Sequence, residues 1–187
     1  PATRRLGEPL FEHPEVDVTR LEYSDHRQLL TAAVYVTDRE QRHFFDEQCR
    51  LLYEELAHRL PRRELTVASR SRNERRLLVR TSSDLSQGGY YYYDRDSGEF
   101  GKLADVAPWL HRRDMASMKP ITYTARDGLT VHGYLTLPLD AEPRNLPAVV
   151  MPHGGPWMRD KWGFRHLAQF LANRGYAVLQ MNFRGST

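Results

Sequence analysis

Up to about residue 115, short apolar runs alternate with turn residues, a pattern that predicts antiparallel strands. Residues 17–23 and 29–36 alternate or run apolar at strand length and predict the first two strands. A tighter group of four strands is predicted at 64–69, 76–81, 90–93 and 99–103, with turn residues in every connection. Four short antiparallel strands joined by hairpin turns are typical of one blade of a β-propeller, and also of a lone four-stranded meander.

A helical pattern separates the two groups of strands. Between residues 46 and 60 the apolar positions recur at helical spacing, and Pro61 ends the pattern, so we expect one helix there. We interpret it as an insertion that packs its apolar stripe on neighbouring strands. A helix that binds a partner protein is the alternative.

Composition and periodicity change near residue 115. Residues 104–120 show no clear period and predict a connection between two domains, which we place at 1–118 and 119–187. After the connection, strands at 121–125 and 130–137 form a predicted hairpin around an Asp-Gly turn.

A strand, a helix and a second strand are predicted next. The strand at 148–151 is short and continuously apolar, as in a buried parallel sheet, and 177–181 is predicted as a second buried strand. The helix between them is expected to begin with Asp160 as its N-cap and to end at Gly175. Its expected buried stripe consists of Phe164, Leu167, Phe170 and Leu171. Such a unit is a right-handed β-α-β crossover by default.

Composition excludes several classes of protein. The chain has 187 residues, of which 40% are hydrophobic, and a formal net charge of +3. Its single cysteine, Cys49, excludes an internal disulfide framework and a cysteine-rich metal site. The arginines between residues 62 and 80 are interspersed with acidic residues, so we expect no nucleic-acid partner. No stretch approaches the ~20 apolar residues of a membrane span, and the scattered histidines predict no metal or cofactor.

The segment that suggests chemistry is a glycine turn, His153-Gly154-Gly155-Pro156-Trp157, which follows the strand predicted at 148–151. Open α/β sheets bind ligands at the carboxyl ends of strands. Acyl transfer builds negative charge on a carbonyl oxygen, and a fixed N–H donor there contributes about 3–4 kcal/mol. Glycine lets a substrate carbonyl approach, whereas Pro156 has no N–H, so Gly155 is the expected donor. The alternative is an ordinary strand-to-helix turn that needs glycine for its shape.

Several motifs follow one another in a recognisable order. They are Asp127-Gly128, Gly133-Tyr134-Leu135, Pro138, His153-Gly154-Gly155-Pro156-Trp157 and Asn182-Phe183-Arg184-Gly185-Ser186. Together they resemble the prolyl oligopeptidase family of serine peptidases, most closely its dipeptidyl-peptidase and acylaminoacyl-peptidase-like members. The resemblance implies β-propeller blades followed by the N-terminal part of an α/β-hydrolase domain, both incomplete in this chain. We therefore expect an internal fragment of a longer polypeptide.

The resemblance also implies roles for individual residues. The N–H of Gly155, with Gly154 beside it, is one half of an oxyanion hole, and His153 orients this loop. Trp157 and Arg184 are candidate contacts for substrate, with a packed aromatic and a structural salt bridge as the respective alternatives. No G-x-S-x-G elbow occurs in the chain, so the catalytic serine, acid and histidine are expected outside it. Ser186 is not expected to be the nucleophile, because it does not lie in an elbow.

The resulting functional hypothesis concerns the longer protein. We expect a serine-type peptidase that hydrolyses short peptides through an acyl-enzyme intermediate, and we expect this chain alone to be inactive. A cytoplasmic rather than an exported location is expected, and no particular oligomeric state is predicted. An esterase of the same fold is one alternative, since fold does not fix substrate. The other is a non-catalytic, propeller-containing binding module.

Overall fold

The computed structural model describes residues 7–155 and 157–186, which form three sheets and two α-helices. The first sheet is antiparallel, with β1 (Val18–Ser24), β2 (Leu29–Val36) and β3 (Glu40–Phe44) in sequential order. The two strands predicted from the sequence, β1 and β2, are confirmed.

Strand β3 was not predicted, because four of its five residues are polar. Its charged side chains pair with one another and with those of β1, which lies on the other side of β2. Arg42 contacts Glu22 of β1 at 3.2 Å and Glu40 of β3 itself at 2.8 Å, while Arg20 of β1 reaches Glu40 at 2.9 Å. A strand with so few apolar residues lacks the alternating apolar pattern from which strands are predicted.

The second sheet is the predicted four-stranded antiparallel meander. It consists of β4 (Glu64–Arg70), β5 (Arg76–Ser82), β6 (Gly89–Asp94) and β7 (Phe100–Asp105), paired in that order. Side chains alternate between buried and half-buried positions along β5 and β6, so one face of the sheet supplies a core.

Helix α1 (Glu47–Arg59) covers that core. The Asp46 side chain caps its N-terminus by accepting a hydrogen bond from the Cys49 N–H at 2.8 Å. The residues of α1 that enter the core are Cys49, Leu52, Tyr53 and Leu56. They pack with Leu60, Leu65, Leu77, Val79, Tyr91 and Tyr93. The apolar stripe of α1 is therefore buried against neighbouring strands of this chain, as expected, while its being an insertion stays a prediction.

The third sheet contains the predicted β-α-β unit. Its strands are β8 (Met118–Thr124), β9 (Thr130–Thr136), β10 (Ala148–Pro152) and β11 (Ala177–Asn182), in the spatial order β10-β11-β9-β8. β10 and β11 are parallel, while β11 pairs with β9, and β9 with β8, in the antiparallel sense. Helix α2 (His166–Ala172) connects the parallel pair.

The predicted start of α2 is wrong. The helix begins after its N-cap residue Arg165, five residues beyond Asp160. Within the described residues, the Arg165 side chain makes no capping hydrogen bond. Two features delay it: the Trp162 side chain is buried against Met118 and Tyr134, and Gly163 has a φ of +148°. Asp160 is buried at 3.3 Å from Arg165 and belongs to the preceding loop.

The predicted apolar stripe of α2 is wrong in part. Leu167 and Phe170 are 55% and 51% exposed and Phe164 and Leu171 are half-buried, whereas Ala168 and Ala172 are buried. Small side chains allow the helix to approach the sheet closely, so they take the inner face. The predicted end is confirmed: Gly175 has a φ of +87°, and the Tyr176 N–H donates to the Leu171 carbonyl at 3.2 Å.

The connection between the second and third sheets is held from both sides. It contains a 3-10 turn at Arg112–Asp114 and then reaches β8. The Asp84 carboxylate accepts hydrogen bonds from the Ser117 hydroxyl at 2.9 Å and the Met118 N–H at 3.0 Å. On the other side, the Gln169 side chain of α2 accepts from the Ala116 N–H and donates to the Ala116 carbonyl. The domain boundary at residues 118 and 119 stays a prediction.

Neither α-helix in the described part of the chain is long and apolar enough to cross a membrane. Over the same residues, no group of three or more histidine, cysteine, aspartate or glutamate side chains is placed to hold a metal ion.

Candidate active site

The glycine turn lies at the carboxyl edge of the parallel strand pair. Because β10 and β11 are parallel, the segments that follow them leave the sheet at the same edge. His153 follows β10 and Phe183 follows β11, and their rings stack with centroids 4.2 Å apart and an interplanar angle of 19°. The two motifs quoted from the sequence are therefore in direct contact, at the edge where open α/β sheets bind ligands.

Both glycines of the turn, Gly154 and Gly155, are exposed residues whose N–H groups have no acceptor among the described residues. Gly155 has a φ of +134°, and a Cβ atom there would lie 2.9 Å from the Trp157 nitrogen. The turn thus requires glycine at position 155. The expectation for Pro156 lies outside the described residues.

The His153 ring bridges the glycine turn and the segment after β11. Its Nδ1 lies 2.7 Å from the Gly154 carbonyl oxygen, and its Nε2 lies 2.6 Å from the Ser186 Oγ. The Ser186 Oγ is also 2.6 Å from the Phe183 carbonyl oxygen. The predicted role of His153 in orienting the loop stays a prediction, with these contacts as its structural basis.

This serine and histidine do not form the arrangement of a catalytic triad. In a triad the second ring nitrogen of the histidine donates to a carboxylate, which stabilises the imidazolium as it forms. Here that nitrogen faces the neutral Gly154 carbonyl, and Ser186 lies in a turn in which its N–H donates to the Phe183 carbonyl at 2.9 Å.

Two sets of hydrogen bonds hold the loop that follows the glycine turn. Asn182, at the end of β11, accepts from the Asp160 N–H at 2.8 Å and donates to the Asp160 carbonyl at 3.0 Å. Arg159 reaches the first sheet, where its guanidinium donates to the carbonyls of Val36 and Thr37 at 2.9 and 3.1 Å. The base of the candidate site therefore includes residues more than 120 positions apart in the chain.

The turn between β2 and β3 completes this base. The Asp38 carbonyl accepts from the Tyr134 hydroxyl at 2.7 Å and from the Trp162 N–H at 3.3 Å. The Arg39 guanidinium lies 3.7 Å from the centre of the Trp162 ring, a cation–π contact. Burial raises the pKa of Tyr134 to about 12, so at neutral pH its hydroxyl stays protonated and can donate this hydrogen bond.

The two candidate substrate contacts are both exposed. Trp157 is 80% exposed, with its ring not packed in the core of this chain. Arg184 forms an exposed ion pair with Asp127, the residue that opens the β8–β9 turn. The Leu129 N–H and the Arg184 guanidinium both lower the pKa of Asp127. Contact of Trp157 or Arg184 with substrate stays a prediction.

Sequence reasoning missed several residues that position the site. Asn182, Phe183 and Ser186 stood in a quoted motif without assigned partners. These residues lie at or after the end of β11, which is parallel to β10, and this could have predicted their place beside the glycine turn that follows β10. Arg159 gave no such signal, because its partners are carbonyl groups, which any residue can supply.

The chain also contains a cavity away from the glycine turn. It has a volume of about 640 Å³ and lies between the β1–β2 turn and the end of β4. Its charged side chains are partly paired, since Glu74 accepts from the Ser24 hydroxyl at 2.8 Å and lies 3.7 Å from Arg70. No glycine is among the described residues that line this cavity, so we assign the chemistry to the glycine turn.

Comparison with known proteins gives relatives that are peptidases. The chain is 39% identical over 131 residues to dipeptidyl aminopeptidase BIII of Pseudoxanthomonas mexicana, a match that covers 66% of this chain and 19% of that protein. It is 31% identical over 153 residues to dipeptidyl peptidase family member 6 of Caenorhabditis elegans, with 71% and 21% covered. The chain thus spans about a fifth of the length of these curated relatives. No protein-family model matches it.

The fold is shared with solved peptidase structures. A puromycin-hydrolyzing peptidase of Mycobacterium tuberculosis superposes with a TM-score of 0.61 at 17% identity, over 89% of this chain and 25% of that one. At this identity the likeness concerns the fold alone.

Proposed function

Because the chain belongs to the prolyl oligopeptidase family of peptidases, we propose that it supplies the oxyanion turn of a serine-type peptidase that hydrolyses short peptides through an acyl-enzyme intermediate. One observation carries this proposal. Gly154 and Gly155 are exposed at the carboxyl edge of the parallel pair, and within the described residues their N–H groups have no acceptor.

In the proposed mechanism, the scissile carbonyl of a peptide lies over the glycine turn. A serine attacks the carbonyl carbon, and the carbonyl oxygen becomes an oxyanion that the Gly155 N–H stabilises. The serine, its histidine base and its acid belong to parts of the longer protein, because this chain contains no nucleophile elbow. A second N–H donor is expected beside that serine.

The organisation of the longer protein follows the same proposal. We assign residues 1–118 to the C-terminal part of a β-propeller, with α1 as its helical insertion, and residues 119–187 to the N-terminal part of an α/β-hydrolase domain. The antiparallel meander of the second sheet supports the first assignment. The parallel pair with its crossover helix supports the second. A cytoplasmic location stays a prediction.

The test compares substrates on the full-length protein. We expect it to release the chromophore from dipeptidyl anilides and to react with a fluorophosphonate probe at one serine. Hydrolysis of simple esters without anilides would indicate an esterase. Absence of labelling and of both hydrolytic activities would indicate a binding module, and either result would contradict the proposal.

The chain alone provides a second test. We expect no stoichiometric fluorophosphonate labelling of the 187-residue chain. Labelling that disappears in Ser186→Ala would place the nucleophile at Ser186 and contradict the assignment of the serine to another part of the protein.

A further inference from the structure

The backbone that follows the glycine turn folds back onto Gly155. A Cβ atom at position 155 would lie 2.9 Å from the Trp157 nitrogen and 3.3 Å from the Met158 nitrogen, so these two residues close one side of Gly155. Trp157 and Met158 are themselves 80% and 56% exposed, and their side chains contribute little packing. The residues that come next in the chain must therefore hold this backbone against Gly155.

Arg159 connects this backbone with the first sheet. Its half-buried guanidinium donates from Nη1 to the Val36 carbonyl at 2.9 Å and from Nη2 to the Thr37 carbonyl at 3.1 Å. A guanidinium presents its donors in a rigid planar fork and keeps its charge throughout the physiological pH range, so one side chain holds two consecutive carbonyl groups. Because Arg159 directly follows Met158 in the chain, its anchoring limits where the Met158 backbone can lie.

The carbonyl groups that Arg159 contacts belong to a turn that is itself held in place. The next carbonyl along this turn, that of Asp38, accepts from the Tyr134 hydroxyl at 2.7 Å and from the Trp162 N–H at 3.3 Å. Three consecutive carbonyl groups at the β2–β3 turn are thus bound by β9 and by the loop that leads to α2. The turn therefore offers Arg159 a fixed point of attachment.

We propose that Arg159 is a positioning residue for the oxyanion turn: by binding the Val36 and Thr37 carbonyls it holds the backbone of residues 157 and 158 against Gly155, and so fixes the direction of the Gly155 N–H. The first sheet thereby takes part in catalysis without touching substrate. For its kinetic consequence the inference rests on the proposed oxyanion role of Gly155, whereas the anchoring of the loop does not depend on that role.

The expected loss falls on kcat. An oxyanion donor acts mainly in the transition state, so a misplaced Gly155 N–H lowers kcat while KM is retained. Complete loss of such a donor lowers kcat by about 10²–10³. The two hydrogen bonds between Asp160 and Asn182 remain in Arg159→Met and still hold the loop, so we expect a smaller fall, of about three- to thirtyfold.

The experiment compares full-length wild type with Arg159→Met and Arg159→Lys. Methionine keeps the apolar stem of arginine without any donor, whereas lysine keeps the charge and a donor without the planar fork. Arg63→Met is the matched control, because Arg63 is also half-buried and donates to the Tyr91 hydroxyl at 3.0 Å, in the second sheet. Hydrolysis of a dipeptidyl anilide well below the Tm of each variant gives kcat and KM, and end-point fluorophosphonate labelling gives the concentration of active sites.

A double-mutant cycle separates positioning from a general loss of stability. If Arg159 acts through Gly155, Arg159→Met should lower kcat by less than about twofold when Gly155→Ala is already present. A general loss of stability would lower kcat by the same factor in both backgrounds. Hydrogen exchange at two hydrogen-bonded amides of the loop, those of Asp160 and Trp162, reports the anchoring without reference to activity.

We expect kcat of Arg159→Met to fall about three- to thirtyfold with KM retained, Arg159→Lys to lie between it and wild type, and Arg63→Met to match wild type. Both loop amides should exchange faster in Arg159→Met. An unchanged kcat, a change confined to KM, or equal losses in the two Gly155 backgrounds would overturn the inference.

Two further outcomes are also decisive. If Arg159→Met fails to fold, Arg159→Lys takes its place in the cycle and is judged by the same non-additivity with Gly155→Ala. Inactivity of the wild-type protein would instead contradict the proposed function, while the exchange rates would still decide whether Arg159 holds the loop. Unchanged exchange in Arg159→Met would show that it does not.

Discussion

Two buried glutamines provide a matched test of what holds the third sheet to the rest of the chain. Gln169 on α2 is 8% exposed and makes three hydrogen bonds. Its Oε1 accepts from the Ala116 N–H at 2.8 Å, and its Nε2 donates to the carbonyls of Ala116 at 2.7 Å and Asp84 at 3.0 Å. Gln180 on β11 is 2% exposed, and within the described residues its Oε1 has no partner.

The same substitution should have opposite effects at the two positions. Gln169→Leu keeps the volume of the side chain but leaves three buried backbone groups without partners. At about 1 kcal/mol for each hydrogen bond, the free energy of unfolding should fall by about 3 kcal/mol. For a protein of this size that corresponds to a Tm lower by about 6–12 °C. Gln180→Leu removes a buried oxygen that makes no hydrogen bond, so it should be neutral or stabilise by up to about 1 kcal/mol.

Thermal unfolding followed by circular dichroism measures both variants against the wild type under identical conditions. A Tm of Gln169→Leu equal to that of Gln180→Leu would refute the claim that the Gln169 network joins α2, the connection and the second sheet. A large loss in both variants would show that shape, rather than hydrogen bonding, determines the effect.

Two further predictions concern the base of the candidate site. Because burial raises the pKa of Tyr134 from 10.0 to about 12, its contribution to stability is complete below pH 10 and is lost as the pH rises toward 12. Urea denaturation across this range should show that the free energy of unfolding falls less steeply with pH in Tyr134→Phe than in wild type. An equal dependence on pH in the two proteins would contradict this. Arg159→Ala removes the donors to the Val36 and Thr37 carbonyls and should lower stability by about 2 kcal/mol. Faster hydrogen exchange in the β2–β3 turn of Arg159→Ala would support this, and unchanged exchange would oppose it.

Apolar periodicity predicted the elements of this fold whose stability comes from apolar side chains. The strands of the second sheet and helix α1 share one core, so their patterns were visible in the sequence. β3 consists mostly of polar side chains, which form ion pairs with one another and with β1, and it has no such pattern. The prediction for α2 failed for a different reason: Ala168 and Ala172 occupy its buried face, whereas Leu167 and Phe170 are exposed.

The sequence indicated where the candidate site lies, but not which contacts hold the glycine turn in place. The glycine turn after an apolar strand indicated the edge of the sheet, and the structure places His153 and Gly155 there. The partners of the turn could not be derived, because the sequence does not show that Asn182 binds the backbone of Asp160, or that Arg159 crosses to the first sheet. These contacts are made with backbone groups, which leave no trace in residue type.

The most direct test of the central claim is the effect of Gly155→Ala on the full-length protein. Alanine at a φ of +134° is strained, and its Cβ would lie 2.9 Å from the Trp157 nitrogen, so the N–H must move. We expect kcat/KM for a dipeptidyl anilide to fall by about 10²–10³ with KM retained, and affinity for a peptidyl boronate to fall in parallel. Gly101→Ala on β7, where a Cβ meets nothing within 4 Å, is the control. Equal kcat/KM in Gly155→Ala and wild type would contradict the assignment of the oxyanion donor to this turn.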